Sequence, residues 1–75
     1  MTHLPQVTAR QMIAALERAG FEIKRSKGGH FALVHRTDPM RRTTVAMHNG
    51  DLPMRDMRDI LKQAKMSRDE FLKLL

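Results

Sequence analysis

Apolar residues at helical spacing open the chain. Between residues 9 and 19 the apolar positions recur every three or four residues, at Ala9, Met12, Ile13, Leu16 and Ala19. Thr8 and Gln11 fit a capping box, and Val7 can staple onto Met12. The pattern predicts an amphipathic helix that starts after Thr8 and has Gly20 as its C-cap.

Three segments after Gly20 have the patterns of β-strands. Phe21 and Ile23 alternate with polar residues in the first segment. The second, residues 30–36, has a run of apolar positions typical of a strand in the middle of its sheet. The third, residues 43–47, is rich in β-branched residues. Together they predict an antiparallel meander of three strands.

Turn signals separate these strands. Residues 26–29 include the pair Gly28-Gly29, which tolerates positive φ and permits close approach of another backbone. Asp38-Pro39 ends the second strand, and residues 48–50, His-Asn-Gly, close the third.

Two further helices are predicted at the end of the chain. Met57, Ile60, Leu61 and Ala64 form the apolar stripe of the first, which starts either with Asp56 as its cap or nearer Pro53. Ser67 and Glu70 form a second capping box with Met66 and Phe71 as its staple, so a short last helix runs to about Leu74.

The element order α-β-β-β-α-α predicts an α+β fold. Helices on one face of a three-stranded antiparallel sheet are the layout of double-stranded RNA-binding domains, and the other sheet face stays open. A chain of 75 residues buries too little surface for two cores, so we expect one domain over residues 1–75.

Positive charge is concentrated in the middle of the chain. Fourteen Lys and Arg against eight Asp and Glu give a net charge of +6. Acidic and basic residues nearly balance in residues 1–23 and 51–75, whereas Asp38 alone opposes the central cations, which are Lys24, Arg25, Lys27, Arg36, Arg41 and Arg42. Either this cluster is a solvated loop surface, or it binds an anionic partner such as nucleic acid.

Several classes of protein do not fit. No apolar run approaches the length that spans a bilayer, and the absence of cysteine suits a reducing cytoplasm. The histidines lack metal-ligand spacing, so no metal site and no cofactor are expected. Neither serine lies in a G-x-S-x-G elbow.

Histidine is the residue type in this chain best suited to proton transfer near neutral pH. His30 follows the glycine pair and lies close to Arg25 and Lys27, where it is either a polar residue at a strand start or a general acid or base acting on a phosphodiester. His48 is either a second proton-transfer group or a turn cap. His35 fits a sheet-edge role better than a ligand role, and His3 is assigned none.

Four segments of the chain, in order, resemble the HicA (YcfA-like) mRNA interferase family. They are ALERAGFE at 15–22, KGGHF at 27–31, VAMH at 45–48 and MRDILKQAKMS at 57–67. His30 matches the family's catalytic histidine, although Gly29 stands where the family's G-S-H motif has serine. Ala46, Asp56 and Lys65 replace a frequent proline, threonine and glycine.

The resemblance implies a toxin of a type II toxin–antitoxin pair. Such a toxin cleaves messenger RNA and is neutralised by an acidic HicB-like antitoxin that covers the histidine and the basic surface. It implies no direct DNA binding except through the antitoxin.

The hypothesis from the sequence is therefore a metal-independent endoribonuclease with His30 as the catalytic group. The predicted RNA-binding residues are Lys24, Arg25, Lys27, Gly28, Gly29, Arg41 and Arg42. The alternative is a non-catalytic double-stranded RNA-binding module that uses Arg55, Arg58 and Lys62. A helix-turn-helix DNA reader fits less well, because Asp69 and Glu70 accompany the cations of the last helix.

Overall fold

Three helices and three strands follow one another in the predicted order. The computed structural model describes residues 3–75. Its elements are α1 (Ala9–Arg18), β1 (Phe21–Lys27), β2 (His30–His35), β3 (Arg42–Ala46), α2 (Met54–Gln63) and α3 (Arg68–Lys73). The α+β fold with a three-stranded antiparallel sheet is thus confirmed.

Both predicted capping boxes are present. The Thr8 hydroxyl accepts from the Gln11 backbone N–H while the Gln11 side chain accepts from the Thr8 N–H. Ser67 and Glu70 do the same at α3. Each box satisfies two N–H groups that the first helical turn leaves without a partner.

One helix end differs from the prediction, and at a second the structure decides between the two starts that the sequence leaves open. The C-cap of α1 is Ala19, and Gly20 follows it with φ +103°, at the position where a left-handed residue closes a helix. Helix α2 begins at Met54 with Pro53 before it, so Asp56 lies inside the first turn and caps nothing. Proline suits this place because its missing N–H would have no helical partner.

The strands pair in the order β1-β2-β3, so β2 is the central strand, as predicted. Strand β1 runs as far as Lys27, which leaves only Gly28-Gly29 as the turn instead of residues 26–29. Both glycines have positive φ, 58° and 80°, as a two-residue hairpin requires. A bulge between Ile23 and Arg25 leaves Lys24 without a partner on β2.

The two faces of the sheet differ in burial. Leu33 of β2 and its partner Thr43 of β3 are buried, as is Val45 two residues along, so these side chains face the helices. Since successive side chains of a strand point to opposite faces, His30 and its partners Lys27 and Ala46 face the other way, onto the open face.

The core lies between the helices and the inner face of the sheet. Its largest fully buried side chains are Phe71, Met12, Leu16, Leu33, Leu52, Met57 and Val45. All three helices and the segment before α2 supply residues to it. No helix within residues 3–75 combines the length and the apolar character that crossing a membrane requires.

Gly20 lets the chain turn tightly from α1 into the sheet. A Cβ atom there would lie 3.1 Å from His35 Nε2, on a backbone that L-residues rarely adopt. We expect Gly20→Ala to lower the free energy of unfolding by about 1–3 kcal/mol, measured by urea denaturation. Gly50→Ala is the matched control, because Gly50 also has positive φ but open space around it. Equal losses would show that the contact with His35 contributes nothing.

Candidate nucleic-acid interface

His30 is exposed at the start of the central strand, on the open face of the sheet. Lys27 is its cross-strand partner on β1 and Ala46 its partner on β3. Directly opposed side chains in an antiparallel pair have Cβ atoms about 5 Å apart. The structure therefore places the side chains of Lys27 and His30 next to each other on the open face, while the small Ala46 on the other side of His30 leaves space there.

Arg25 is the second cation near His30. It pairs with Ala32, two residues along β2 from His30, which makes it the diagonal neighbour at about 7–8 Å. Arg25 and Lys27 are both exposed. Three of the predicted site residues thus occupy one corner of the open face, which we call the His30 corner: Arg25, Lys27 and His30.

The Gly28-Gly29 turn borders the His30 corner and is open to solvent. A Cβ atom on Gly28 would meet nothing within 4 Å, and one on Gly29 would meet only the Met47 Cβ, at 3.9 Å. The Gly29 carbonyl accepts a hydrogen bond of 2.7 Å from the Met47 N–H, which ties the turn to the end of β3. A phosphate can therefore approach this turn without a side chain in its way.

Lys24 occupies the bulge at the other end of the basic run. Its Nζ lies 3.1 Å from Glu22 Oε1, and both side chains are more than half exposed. Such a surface ion pair contributes less than about 1 kcal/mol, so it leaves Lys24 able to exchange its partner for another anion.

Arg41 and Arg42 are not brought to the His30 corner. Arg42 pairs with Val34, four residues along β2 from His30, a distance of about 13 Å. Arg41 is half-buried: its Nε donates to the Ala64 carbonyl at 2.8 Å, and its guanidinium carbon lies 5.4 Å from the centre of the Phe21 ring. Arg41 thus joins the end of α2 to the sheet.

His48 lies beyond the end of β3, two residues after Ala46. Its Nε2 is 3.7 Å from Asp56 Oδ2 in the first turn of α2, and both side chains are a little under half exposed. The structure thus has a second imidazole, with a carboxylate nearby, at the same end of the sheet as His30.

His35 has a structural role. Its ring meets Phe21 edge-on at 5.1 Å between centroids, and its Nδ1 accepts from the Thr37 backbone N–H. The proton therefore lies on Nε2, which donates to the Ala19 carbonyl at 3.1 Å. The His35 ring thus contacts both the end of α1 and the start of β1, in agreement with the sheet-edge interpretation.

Within residues 3–75, no three side chains among His, Cys, Asp and Glu converge as ligands for a metal ion. Glu22 is the only acidic residue of β1, and neither β2 nor β3 contains one. The chemistry that the His30 corner offers is thus proton transfer by an imidazole beside positive charge.

Comparison with known protein families decides the family of the chain. Residues 9–66, from the start of α1 to just before α3, match the profile described as the HicA toxin of bacterial toxin–antitoxin systems. The chain belongs to the HicA toxin family. A search of curated proteins found no matching relative. Membership makes the protein a toxin of a toxin–antitoxin pair and implies a cognate antitoxin as its partner.

Two contacts of this HicA toxin have no signal in the sequence pattern. The contact of His48 with Asp56 joins residues eight positions apart across a loop. The Arg41 contact with Ala64 joins residues 23 positions apart. Both depend on how α2 is placed against the sheet, which local periodicity does not encode.

Proposed function

We propose that this HicA toxin is a metal-independent endoribonuclease that cleaves messenger RNA, with His30 as its principal general acid or base. The observation that carries the proposal is the His30 corner: an exposed imidazole paired with Lys27, with Arg25 on the diagonal, beside an unobstructed glycine turn. The family match supports it, since the chain is a HicA toxin.

RNA cleavage without a metal needs little more than these groups. The 2′-hydroxyl attacks the adjacent phosphorus once a base removes its proton, and an acid protonates the leaving 5′-oxygen. His30 supplies one of these transfers. Lys27 and Arg25 stabilise the charge that develops on the phosphoryl oxygens.

His48 is the candidate for the other proton transfer. Ala46 pairs with His30, and His48 follows Ala46 by two residues, so the two imidazoles lie at the same end of the sheet. Asp56 Oδ2 lies 3.7 Å from Nε2 of His48, and Nδ1 is the ring nitrogen that would face a substrate in this proposal. This role is part of the proposal and is separable from that of His30.

The RNA-binding residues divide into two groups. Lys24, Arg25, Lys27 and the backbone of Gly28 and Gly29 hold the phosphates around the cleaved bond. Arg41 and Arg42 contact the RNA farther from the cleaved bond. Arg41 does so only through its terminal nitrogens, because its Nε donates a hydrogen bond to the Ala64 carbonyl. The proposed antitoxin is an acidic HicB-like protein that covers the same surface.

Loss of the lysine charge beside His30 should weaken RNA binding. We expect Lys27→Gln to raise KM and to reduce the slope of log affinity against log salt concentration by about 1, since one phosphate contact is lost. Lys73→Gln on α3 is the control: it removes the same charge from an exposed site away from the His30 corner. If both variants change the slope equally, net charge and not Lys27 determines binding.

The proposed function is tested with purified protein, labelled messenger RNA and EDTA. Cleavage that proceeds in EDTA supports the proposal. Intact RNA bound with strong salt dependence supports instead a non-catalytic double-stranded RNA-binding module. That alternative has Arg58 and Lys62 in its favour, which line an exposed groove with Arg68 between α2 and α3.

A further inference from the structure

Strand β3 forms an open edge of the sheet, and its backbone has a definite polarity there. The Met47 N–H donates to the Gly29 carbonyl and the His35 N–H donates to the Arg41 carbonyl, so the odd-numbered residues of this segment bond to β2. Because backbone groups alternate in direction along an antiparallel strand, the even-numbered residues point their N–H and C=O groups away from β2. These residues are Arg42, Thr44 and Ala46.

Helix α2 lies alongside this edge. Two adjoining hollows, which share Thr44 and Gln63, lie between the edge and the helix. The helix runs antiparallel to the strand, since Gln63 accepts a hydrogen bond from Thr43 at one end and Asp56 lies beside His48 at the other. The edge is therefore basic at Arg42 and acidic at the Ala46 end, where Asp56 and Asp59 line the hollow.

The edge is basic at one end and acidic at the other. Two copies of this edge that run antiparallel therefore bring the basic end of one to the acidic end of the other. If a second β3 strand pairs antiparallel with the first and Thr44 faces Thr44, each Arg42 lies opposite the Ala46 of the other copy. The three outward-facing residues of each strand then exchange about six backbone hydrogen bonds. The same two-fold pairing carries each Arg42 to the acidic end of the other edge. A second copy of this chain therefore provides partners for the unpaired backbone groups and brings opposite charges to both ends of the shared edge.

We propose that two copies of this protein pair through β3, with Thr44 on the two-fold axis, and that each copy supplies Arg42 to the His30 corner of the other. The second part rests on the proposed ribonuclease function. The pairing gives a continuous sheet of six strands whose open faces lie on the same side. An edge strand with unpaired backbone groups is the usual template for such addition.

The distances explain why Arg42 acts on the other copy. In the paired sheet, Arg42 of one copy, Ala46 of the other and the other copy's His30 lie in a row across three strands. Strands are spaced about 4.8 Å apart, so Arg42 and the other copy's His30 have Cα atoms about 10 Å apart with only the Ala46 methyl between them. Within one chain the spacing is about 13 Å along the strand.

Arg42 is free to make this approach. Its Nε donates to the Pro39 carbonyl in the exposed β2–β3 loop at 3.0 Å, which leaves the terminal nitrogens of the guanidinium available to a phosphate. A bidentate guanidinium contact to a phosphate is stronger than a single charge at the same place.

The first test is the oligomeric state of the full chain without antitoxin, by sedimentation velocity over a range of protein concentrations. We expect a monomer–dimer equilibrium whose dissociation constant rises at least about tenfold in Thr44→Pro. Proline leaves the fold intact here because the Thr44 N–H is not bonded to β2, which circular dichroism checks. Thr44→Val, which keeps the N–H, should dimerise like the wild type. If the wild-type protein is monomeric at every concentration, the proposal is wrong. Loss of antitoxin binding in Thr44→Pro would then indicate that the β3 edge binds the antitoxin.

The second test addresses the register. Thr44→Lys and Thr44→Glu each place like charges opposite each other on the two-fold axis, so each variant alone should be monomeric. An equimolar mixture should dimerise again, since a lysine then faces a glutamate. A mixture that stays monomeric shows that Thr44 does not face Thr44 and overturns the proposed pairing.

The third test separates the exchange of Arg42 from the ribonuclease activity itself. His30→Ala and Arg42→Ala are each expected to cut RNA poorly, and mixing them should restore part of the activity, because the mixed dimer contains one corner with both residues. No gain on mixing, with dimers present, overturns the exchange of Arg42. If wild-type protein cuts no RNA, the proposed function fails, and the sedimentation results still decide the pairing.

Discussion

His30→Ala is expected to lower the rate of RNA cleavage by at least about 100-fold, because general acid–base catalysis by a positioned side chain contributes factors of 100 to 10,000. The imidazole is exposed at the start of β2, and within residues 3–75 no side-chain hydrogen bond of His30 holds the fold, so thermal unfolding should be unchanged. The measurements are the initial rate of cleavage in EDTA, the unfolding midpoint, and growth of cells that express each variant. Toxicity should disappear with the cleavage activity.

The control for this substitution is His3→Ala. His3 is exposed as well, and it lies outside the six helices and strands and outside the family match. This variant should cut RNA at the wild-type rate and remain toxic. If His30→Ala also cuts at the wild-type rate, the imidazole does not take part in the reaction, and the His30 corner is only a binding surface.

Phe71→Ala is expected to lower the free energy of unfolding by about 3–5 kcal/mol, the range for removing a fully buried phenylalanine. Phe71 is completely buried although its helix, α3, has only six residues. A small domain has a total stability of about 5–15 kcal/mol, so this one change should remove a large share of it. Denaturation with urea, followed by far-ultraviolet circular dichroism, measures the loss.

Leu72→Ala is the matched control for Phe71→Ala. Leu72 is the next residue of the same helix and is only half-buried, so its loss should be clearly smaller. A loss below about 1 kcal/mol for Phe71→Ala would mean that α3 does not belong to the core. The helix lies outside the family match, which ends at residue 66, so the substitution tests a part of the fold that the family match does not cover.

The sequence predicts those parts of the fold that depend on neighbours along the chain. Both capping boxes form between residues three positions apart, and the apolar stripe of α1 needs only the helical period. The central position of β2 follows from its run of apolar residues. The end of the first strand differs from the prediction: the strand extends through Ser26 and Lys27, because the glycine pair alone is sufficient for the hairpin.

The candidate site, like the fold, is predicted by the sequence only where it depends on residues close together along the chain. A two-residue hairpin makes Lys27 and His30 cross-strand partners. Their proximity therefore follows from the sequence itself, in which a lysine, a glycine pair and a histidine are consecutive. Arg41 and Arg42 are equally basic and stand side by side in the sequence, yet alternate strand residues face opposite ways. Arg42 is exposed at the far end of the sheet, while Arg41 packs against Phe21 and Ala64. Charge alone does not distinguish them.

The end groups of the RNA fragments made in EDTA test the central claim most directly. Attack by the 2′-hydroxyl, with His30 moving a proton, leaves a 2′,3′-cyclic phosphate on one fragment and a free 5′-hydroxyl on the other. Mass spectrometry of the products from a short RNA distinguishes these ends, and the same RNA with a 2′-O-methyl group at the cleaved position should stay intact. Fragments with a 5′-phosphate and a 3′-hydroxyl, or cleavage of the methylated RNA at that position, would contradict the account.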